Sequence, residues 1–334
     1  MSDLACVVHC HSTYSDGTGT VPQIAAAAAR AGADVVLLTD HDTLEARRRG
    51  EEGWHGPVLV CVGEEVSPRR QNHYLAFGLD EEIAHRGMSP AQIVAAVRDA
   101  GGFGFAAHPF SKGSEVFARA GTGMPWSDLE AEELDGLEVW SLVTDVAEAL
   151  TRRRDALRFI FTPRRVVERP PERNLAEWDR LGARRRVVGI GGIDAHQIGL
   201  RVGGRVPLRL MSYHRSFALL RTHVLVEGEP SVESVYAALR AGRCYLGLDY
   251  LGSPKGFEFE GMGTEVPAGP RTLHAQVPRP AALTLLRDGD PIARADGTEI
   301  SVDVEEPGVY RVEAALPYRG RDRAWILSNP VYLR

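Results

Sequence analysis

The chain has 334 residues, 39 Lys and Arg against 45 Asp and Glu, and a formal net charge of −6. Its 44% apolar and 25% charged composition is that of a packed globular protein and excludes a disordered or low-complexity chain, and the length allows one large α/β domain plus a small one, or two medium domains. The mildly acidic balance argues against a protein that works by neutralising many phosphates, as a nucleic-acid coat does.

Leu4–Val8 is a short apolar run ending on polar residues and predicts a strand. After a Gly-rich turn, residues 20–32 predict a helix, with Thr20 or Val21 near the cap, Pro22 in the first turn and Gly32 closing it. Asp34–Thr39 and Pro57–Val62 read as buried strands from their continuous apolar, β-branched character, and His73–Leu79 reads as another. Ser89-Pro90 starts a helix that stops before Gly101-Gly102 and leads into Phe103–Ala107; Leu137–Trp140 and Val187–Ile190 are further strands. About seven strands before residue 200, alternating with helices on short connections, predict a mostly parallel sheet closed into a barrel. From about Phe257 the helical pattern vanishes, and LTLLRDGDPIA, EISVDVEEPGVYRVEA and AWILSNPVYL predict short strands of a small antiparallel β-sandwich. WILSNP itself reads as a core strand and its turn. The predicted division is a barrel over 1–252, with an insertion at about 111–186, and a β-sandwich over 257–334.

Cys6, Cys10, Cys61 and Cys244 show no C-x-x-C spacing, and Cys6 and Cys61 in apolar runs read as small buried hydrophobes. The N-terminus has no basic segment followed by a long apolar one, and no stretch is apolar for long enough to span a bilayer, so a soluble, cytoplasmic protein without a membrane partner is expected. The insertion is split by charge: residues 111–150 carry a net −7 and residues 151–186 a net +7, with twelve Arg. An Arg-bearing lid over an anionic substrate is one reading. Two solvated faces that pair with each other, with Arg152, Arg153 and Arg154 merely hydrated, is the other.

The predicted strands end in chemistry. The first ends in His9-x-His11, with Asp16 shortly after; the second ends in Asp40, His41 and Asp42; the third ends in Glu64 and Glu65. His73 opens the next strand, His108 ends the following one, and Asp194 and His196 end the last. In a parallel barrel such ends face one rim, and alternate residues of a strand share a face, so H-x-H and D-x-H each present two ligands inward. Imidazoles mixed with carboxylates and no cysteine suit zinc, manganese or iron, whereas calcium takes oxygen alone. About nine ligands exceed the four of one structural zinc and suffice for two or three divalent ions if one carboxylate bridges. His55, His85, His214, His223 and His274 read as ordinary surface or core histidines.

The ordered motifs H-x-H-S…S-D-G, T-D-H-D, G-E-E-V-S, N-H-Y-L-A-F-G, A-H-P-F and D-A-H resemble the PHP (polymerase and histidinol phosphatase) superfamily over about residues 4–250. D-G-L-E-V-W, N-L-A-E-W-D-R-L, R-T-H-V-L-V and W-I-L-S-N-P-V-Y resemble a bacterial branch with a C-terminal β-domain that includes carbaryl-hydrolase-like proteins. The resemblance implies an α/β fold, a distorted (β/α)7 barrel with a small C-terminal antiparallel β-sandwich. It implies two or three divalent ions (Zn, Mn or Fe). His9, His11, Glu65 and Asp194 resemble the ligands of a first; Asp16, His41 and His196 those of a second; Glu65, His73 and His108 those of a third. Glu65 is preferred to Glu64 because it directly precedes Val66-Ser67. Asp40 and Asp42, flanking His41, are expected to hold an imidazole by its other nitrogen.

The function expected on this basis is metal-dependent hydrolysis of a small phosphate ester, such as a nucleotide or sugar phosphate, by a hydroxide bridging the metals. Asp40, Asp194, His196 and Lys112 are the catalytic candidates, and Lys112 and Arg119 are candidate phosphate contacts. The substrate is expected to be a small anionic molecule, with no aromatic-interleaved basic groove for nucleic acid beyond a nucleotide or short oligonucleotide. A carbamate, amide or carboxylic-ester hydrolase on the same centre is the alternative. An inactive, metal-stabilised binding domain is the alternative of another class.

Overall fold

A computed structural model describes residues 1–114, 116, 123–130, 134–202 and 205–334. Arg119 lies outside the described residues. The first part of the chain forms β1 (Ser2–Cys10), α1 (Val21–Ala31), β2 (Val35–His41), α2 (Glu45–Arg48), β3 (Gly53–His55), β4 (Val58–Val66), β5 (Tyr74–Phe77), α3 (Pro90–Asp99) and β6 (Phe103–Ala106). Then follow β7 (Gly136–Ser141), α4 (Leu142–Ala149), α5 (Arg153–Phe161), α6 (Glu172–Gly182), β8 (Val188–Gly192), β9 (Ile198–Val202), β10 (Arg205–Met211) and α7 (Tyr213–Phe217). The remainder is β11 (Arg221–Val226), α8 (Val232–Arg240), β12 (Cys244–Gly247), β13 (Glu258–Phe259), β14 (Glu265–Val266), β15 (Arg271–Arg287), β16 (Asp290–Val304), β17 (Gly308–Tyr318), β18 (Arg321–Ser328) and β19 (Val331–Leu333). Among the described residues no helix is long and apolar enough to cross a membrane.

Helix starts follow their caps. Ser89 Oγ accepts Gln92 N at 3.4 Å while Gln92 Oε1 accepts Ser89 N at 2.8 Å, so two main-chain donors at the head of α3 are satisfied reciprocally. In the sheet, β1, β2 and β4 run parallel, as do β6, β7 and β8, but β5 is antiparallel to both β4 and β6. No helix separates β4 from β5, and so short a connection cannot cross over to a parallel neighbour.

Strand alternation builds two cores. Leu4, Cys6, Val8, Leu37, Leu59, Cys61, Leu75, Phe77, Phe105, Ile190 and Val224 pack together on one face, with Val235, Ala238 and Leu239 of α8 against them. On the other face Val7, Val36, Val60, Ala76 and Ala106 lie under residues of α1, α3 and α6.

The expected closed barrel is not formed, because the sheet is open between β8 and β1. β1 has its second edge occupied by β11, in antiparallel register from Ser2↔Val226 to Cys6↔Thr222. Only the end of β1 remains for β8, and the two meet through the single bridge Cys10↔Ala195 rather than a ladder.

The C-terminal strands continue the hydrogen-bonded sheet through β12 and β18. They are longer than the short runs expected: β15 and β16 span 17 and 15 residues. They are joined by Asp288-Gly289, both with positive φ (53° and 90°), the two-residue turn whose twist matches a hairpin. Tyr245, Phe257, Leu283, Val312 and Trp325 form a third core there.

The two charged halves of the insertion pair with each other. Arg173 meets Glu148 at 2.6 Å, and Arg180 and Arg184 each meet Glu130 at 2.7 Å. The insertion is also fastened to the C-terminal strands. Arg311 of β17 forks onto Asp179 of α6 at 2.9 and 3.0 Å with both side chains buried. Removing one partner of such a pair strands the other charge. Arg311→Met is therefore expected to lower stability by about 3–5 kcal/mol in urea melts, and Arg311→Met with Asp179→Leu to recover most of that loss.

Candidate metal centre

The nine ligand candidates converge. Among the described residues, four groups place ligand atoms within 4.8 Å of one another: His11, Asp16, His41 and His196; His9, Glu65 and His108; His9, His11 and Asp194; and His41, Glu65 and His73. The grouping differs in detail from the one the resemblance implies. His11 belongs both to the Asp16 group and to the group with His9 and Asp194, and His73 and His108, which both meet Glu65 Oε1, group further with His41 and with His9 respectively.

Local backbone explains the convergence. On β4 the inward series is Leu59, Cys61, Gly63 and Glu65, and the register His41↔Glu65 sets the imidazole beside the carboxylate. Glu64 has the opposite parity, and its Oε1 accepts Ile83 N at 2.8 Å. His73 reaches the same rim because β5 runs the other way. On β1 plain alternation fails: with Leu4, Cys6 and Val8 on the inner face, His9 would face out. A register shift between Val8 and Cys10, with His9 at φ 63°, turns both His9 and His11 toward Glu65. His108 (φ 31°) and Asp194 (φ 57°) also adopt left-handed backbone, a cost that non-glycine residues carry mostly at functional sites.

The inner spacings are those of ligands rather than of hydrogen bonds. His9 Nε2 lies 3.4 Å from Glu65 Oε2 and 3.5 Å from Asp194 Oδ1; His11 Nε2 lies 3.4 and 3.3 Å from the same two atoms. His9 Nε2, both ring nitrogens of His11, and Glu65 Oε2 are buried without a hydrogen-bond partner. Ligands about 2.1 Å from a zinc-like ion at tetrahedral angles stand about 3.4 Å apart. The residues present therefore fit a divalent ion. Further out, Glu65 Oε1 meets His73 Nδ1 at 2.8 Å and His108 Nε2 at 3.2 Å, and Asp16 Oδ1 meets His196 Nε2 at 3.0 Å.

The electrostatics follow from burial against mutual pairing. Burial disfavours charge on Glu65, but His9, His73, His108 and His41 outweigh it and hold the carboxyl well below its usual range. Burial likewise opposes charge on His9, and Glu138, Glu65 and Asp194 raise its pKa well above that of an ordinary imidazole. His11 goes the other way: burial, then His196, press it down to about 4, which leaves a neutral ring with a free lone pair.

Two supporting carboxylates differ from expectation. Asp40 does not hold an imidazole; its oxygens accept Ser12 N at 2.7 Å, Ser12 Oγ at 2.6 Å and Ser15 Oγ at 2.6 Å, so it fastens the loop that carries Asp16. Asp42 accepts Ser67 N at 2.7 Å and meets His85 Nε2 at 3.0 Å, while Ser67 Oγ lies 2.7 Å from His41 Nδ1. Glu138 was not singled out from the sequence. It is fully buried, meets His9 Nδ1 at 3.0 Å, and accepts His108 N at 2.6 Å. A lone carboxylate in the apolar run GLEVW was the available signal. Gly192 makes room for it, since a Cβ there would stand 1.9 Å from Glu138 Oε1. Lys112 is exposed, apart from these groups, on the rim of a cavity of about 570 Å³ shared with Phe110, Ser111 and Arg173.

No family model matches the chain. An uncharacterized protein of Methanocaldococcus jannaschii is 27% identical over 154 residues, which cover 40% of this chain and 80% of that one. A two-domain protein from Bacteroides vulgatus containing a predicted PHP-like metal-dependent phosphoesterase matches 98% of this chain and 95% of its own, with 16% identity and a TM-score of 0.50. A proposed metal-dependent phosphoesterase from Bifidobacterium adolescentis matches 62% of this chain and 92% of its own, with 19% identity and a TM-score of 0.39. The full-length likeness shows the fold, which this chain shares with the Bacteroides vulgatus protein.

Two expectations follow. Glu138→Gln keeps the shape but removes the charge that orients His9, and should weaken zinc or manganese binding about 10–100-fold in a chelator-competition titration. Burial pushes Glu64 up to about 7 from an ordinary 4.5, so the folded state holds its proton more tightly than the unfolded chain. Its contribution to stability is full below pH 4.5 and is lost as the pH rises through about 7. Glu64→Gln should therefore match the wild type in urea melts near pH 4.5 and gain on it by about 3 kcal/mol near pH 8.

Proposed function

We propose that the chain is a metal-dependent hydrolase that cleaves a phosphoester in a small anionic substrate such as a nucleotide or sugar phosphate. The observation that carries this reading is the convergence of buried, unpartnered ligand atoms on His9, His11 and Glu65 at coordination spacing. On this reading His9, His11, Glu65 and Asp194 hold one ion and Asp16, His41 and His196 a second, while Glu65 with His73 and His108 holds a third. Zinc, manganese or iron would supply Lewis acidity and a nucleophilic water near neutral pH.

The chain's own groups do the rest. Glu138 takes the Nδ1–H of His9, which leaves Nε2 as the inward lone pair. Met124 O, 3.4 Å from His108 Nδ1, does the same for His108. Asp40 keeps Asp16 in place through Ser12 and Ser15, and Asp16 Oδ1 in turn meets His196 Nε2 at 3.0 Å. Lys112 lies on the rim of the neighbouring cavity, which Arg173 and Glu177 also line, and is the candidate contact for a phosphate there. Residues 1–252 are the proposed catalytic unit and 257–334 a β-unit that braces it. The full-length structural relative, which contains a predicted PHP-like metal-dependent phosphoesterase, supports the same class.

The test is p-nitrophenol release by the manganese-loaded protein from a phosphate ester and a carboxylic ester side by side. Phosphate cleavage is expected, with Asp194→Ala reducing it at least about 100-fold while the far-ultraviolet circular dichroism is kept. Cleavage of the carboxylic ester alone would replace the phosphoester reading with a carbamate, amide or ester hydrolase.

A further inference from the structure

β8 has one edge in the sheet, against β7, and one edge outside it. Along the outer edge its main-chain groups fall at every second residue: Gly189, Gly191, Ile193 and Ala195. Buried groups of this kind need partners, and a neighbouring strand would ordinarily supply them. β1 reaches only the last two. Ile193 N donates to Val8 O at 3.0 Å, Ala195 N donates to His9 O at 3.2 Å, and His11 N donates to Ala195 O at 3.0 Å.

Side chains serve the first two. Gly189 N donates to Asn329 Oδ1 at 2.8 Å, and Asn329 Nδ2 donates back to Gly189 O at 2.8 Å. Gly191 N donates to Thr222 Oγ1 at 2.9 Å, and the same hydroxyl donates back to Gly191 O at 2.8 Å. An amide and a hydroxyl each reproduce the donor and acceptor that a strand residue would present. Both side chains are buried, Asn329 at 1% and Thr222 at 0% exposure. Asn329 Nδ2 also donates to Cys244 O at 2.8 Å, which joins β8 to β12.

We infer that Asn329 and Thr222 are positioning residues for Asp194. They close the seam that the sheet leaves open and so fix the line of β8, from whose end Asp194 projects to His9 and His11. Asp194 itself is left-handed, and Ile193 and Ala195 on either side of it are pinned to β1. The placement of Asp194 therefore depends on where the open edge of β8 lies. The inference rests on the reading of Asp194 as a metal ligand. It gives the Ser328-Asn329-Pro330 turn of the C-terminal strands a part in the metal centre more than a hundred residues away in sequence.

The test compares Thr222→Val, which keeps the shape and loses both hydrogen bonds, with Thr222→Ser, which keeps the hydroxyl. Zinc and manganese affinities are read by chelator competition on metal-stripped protein, beside kcat and KM for the ester that the wild type cleaves. Thr222→Val is expected to bind metal about 10-fold more weakly, with kcat reduced at limiting metal and restored by excess metal, KM within about two-fold, and Thr222→Ser close to wild type. Wild-type metal affinity in Thr222→Val overturns the inference. So does an equal loss in Thr222→Ser, because the methyl group's packing would then be responsible. Should Thr222→Val fail to fold, Asn329→Asp, which keeps the acceptor for Gly189 N and loses both donors, is judged by the same criteria. A wild-type protein that binds no metal overturns the metal-centre reading itself, and that outcome is distinct from a seam that does not matter.

Discussion

Glu65 is a carboxylate at 1% exposure with five imidazoles around it: His73 at 2.8 Å, His41 at 3.0 Å, His108 at 3.2 Å, and His9 and His11 at 3.4 Å. A buried charge is tolerated only where opposite charge or a metal compensates it. The architecture can be understood as the means of meeting that requirement. β1, β2, β4 and β5 bring candidate ligands to one rim, β6 and β8 bring the rest, and β7 brings Glu138 to hold two of them. The reversal of β5 belongs to the same requirement, since a parallel β5 would open at the opposite end and take His73 away from Glu65.

Much of this was legible in the sequence because alternation and strand ends leave a pattern. The preference for Glu65 over Glu64 has a plain structural basis: the first continues the series Leu59, Cys61 and Gly63, and the second faces the helices. What alternation does not encode was missed. The same rule applied to β1 would turn His9 outward, and only the irregular backbone at Val8–Cys10 corrects it. Asp40 looked like a neighbour for the imidazole next to it, but adjacent residues on a strand face opposite ways, and its carboxylate went to Ser12 and Ser15 instead. Glu138 belongs to the centre through contacts across 129 residues of sequence, which no local pattern reports.

Barrel closure was illegible for a related reason. Counting strands says how many could close, but not which edge of the first strand is free. β11 returns antiparallel onto β1 from Ser2 to Cys6, and that contact decides the outcome. It leaves a gap beside β8 in which main-chain pairing is impossible over Gly189 to Gly191. There Thr222 of β11 and Asn329 of the C-terminal turn take over. The C-terminal strands thus complete the hydrogen bonding of the sheet, beyond covering apolar surface.

The centre is also where the backbone is least relaxed. His9, His108 and Asp194 all adopt left-handed conformations, each costing on the order of 1 kcal/mol or more for a residue with a side chain. Their neighbours hold them there: Glu138 grips the His9 ring and the His108 amide together, and Thr144 Oγ1 lies 3.3 Å from Asp194 Oδ2. Irregular backbone on three strands, tied by buried carboxylates, fixes the ligand directions before any ion arrives. An ion that binds only the folded chain adds its binding free energy to stability and offsets that strain. The left-handed residues and the unpartnered atoms of His9, His11 and Glu65 are therefore two sides of one arrangement, in which backbone energy is exchanged for a set of lone pairs aimed inward.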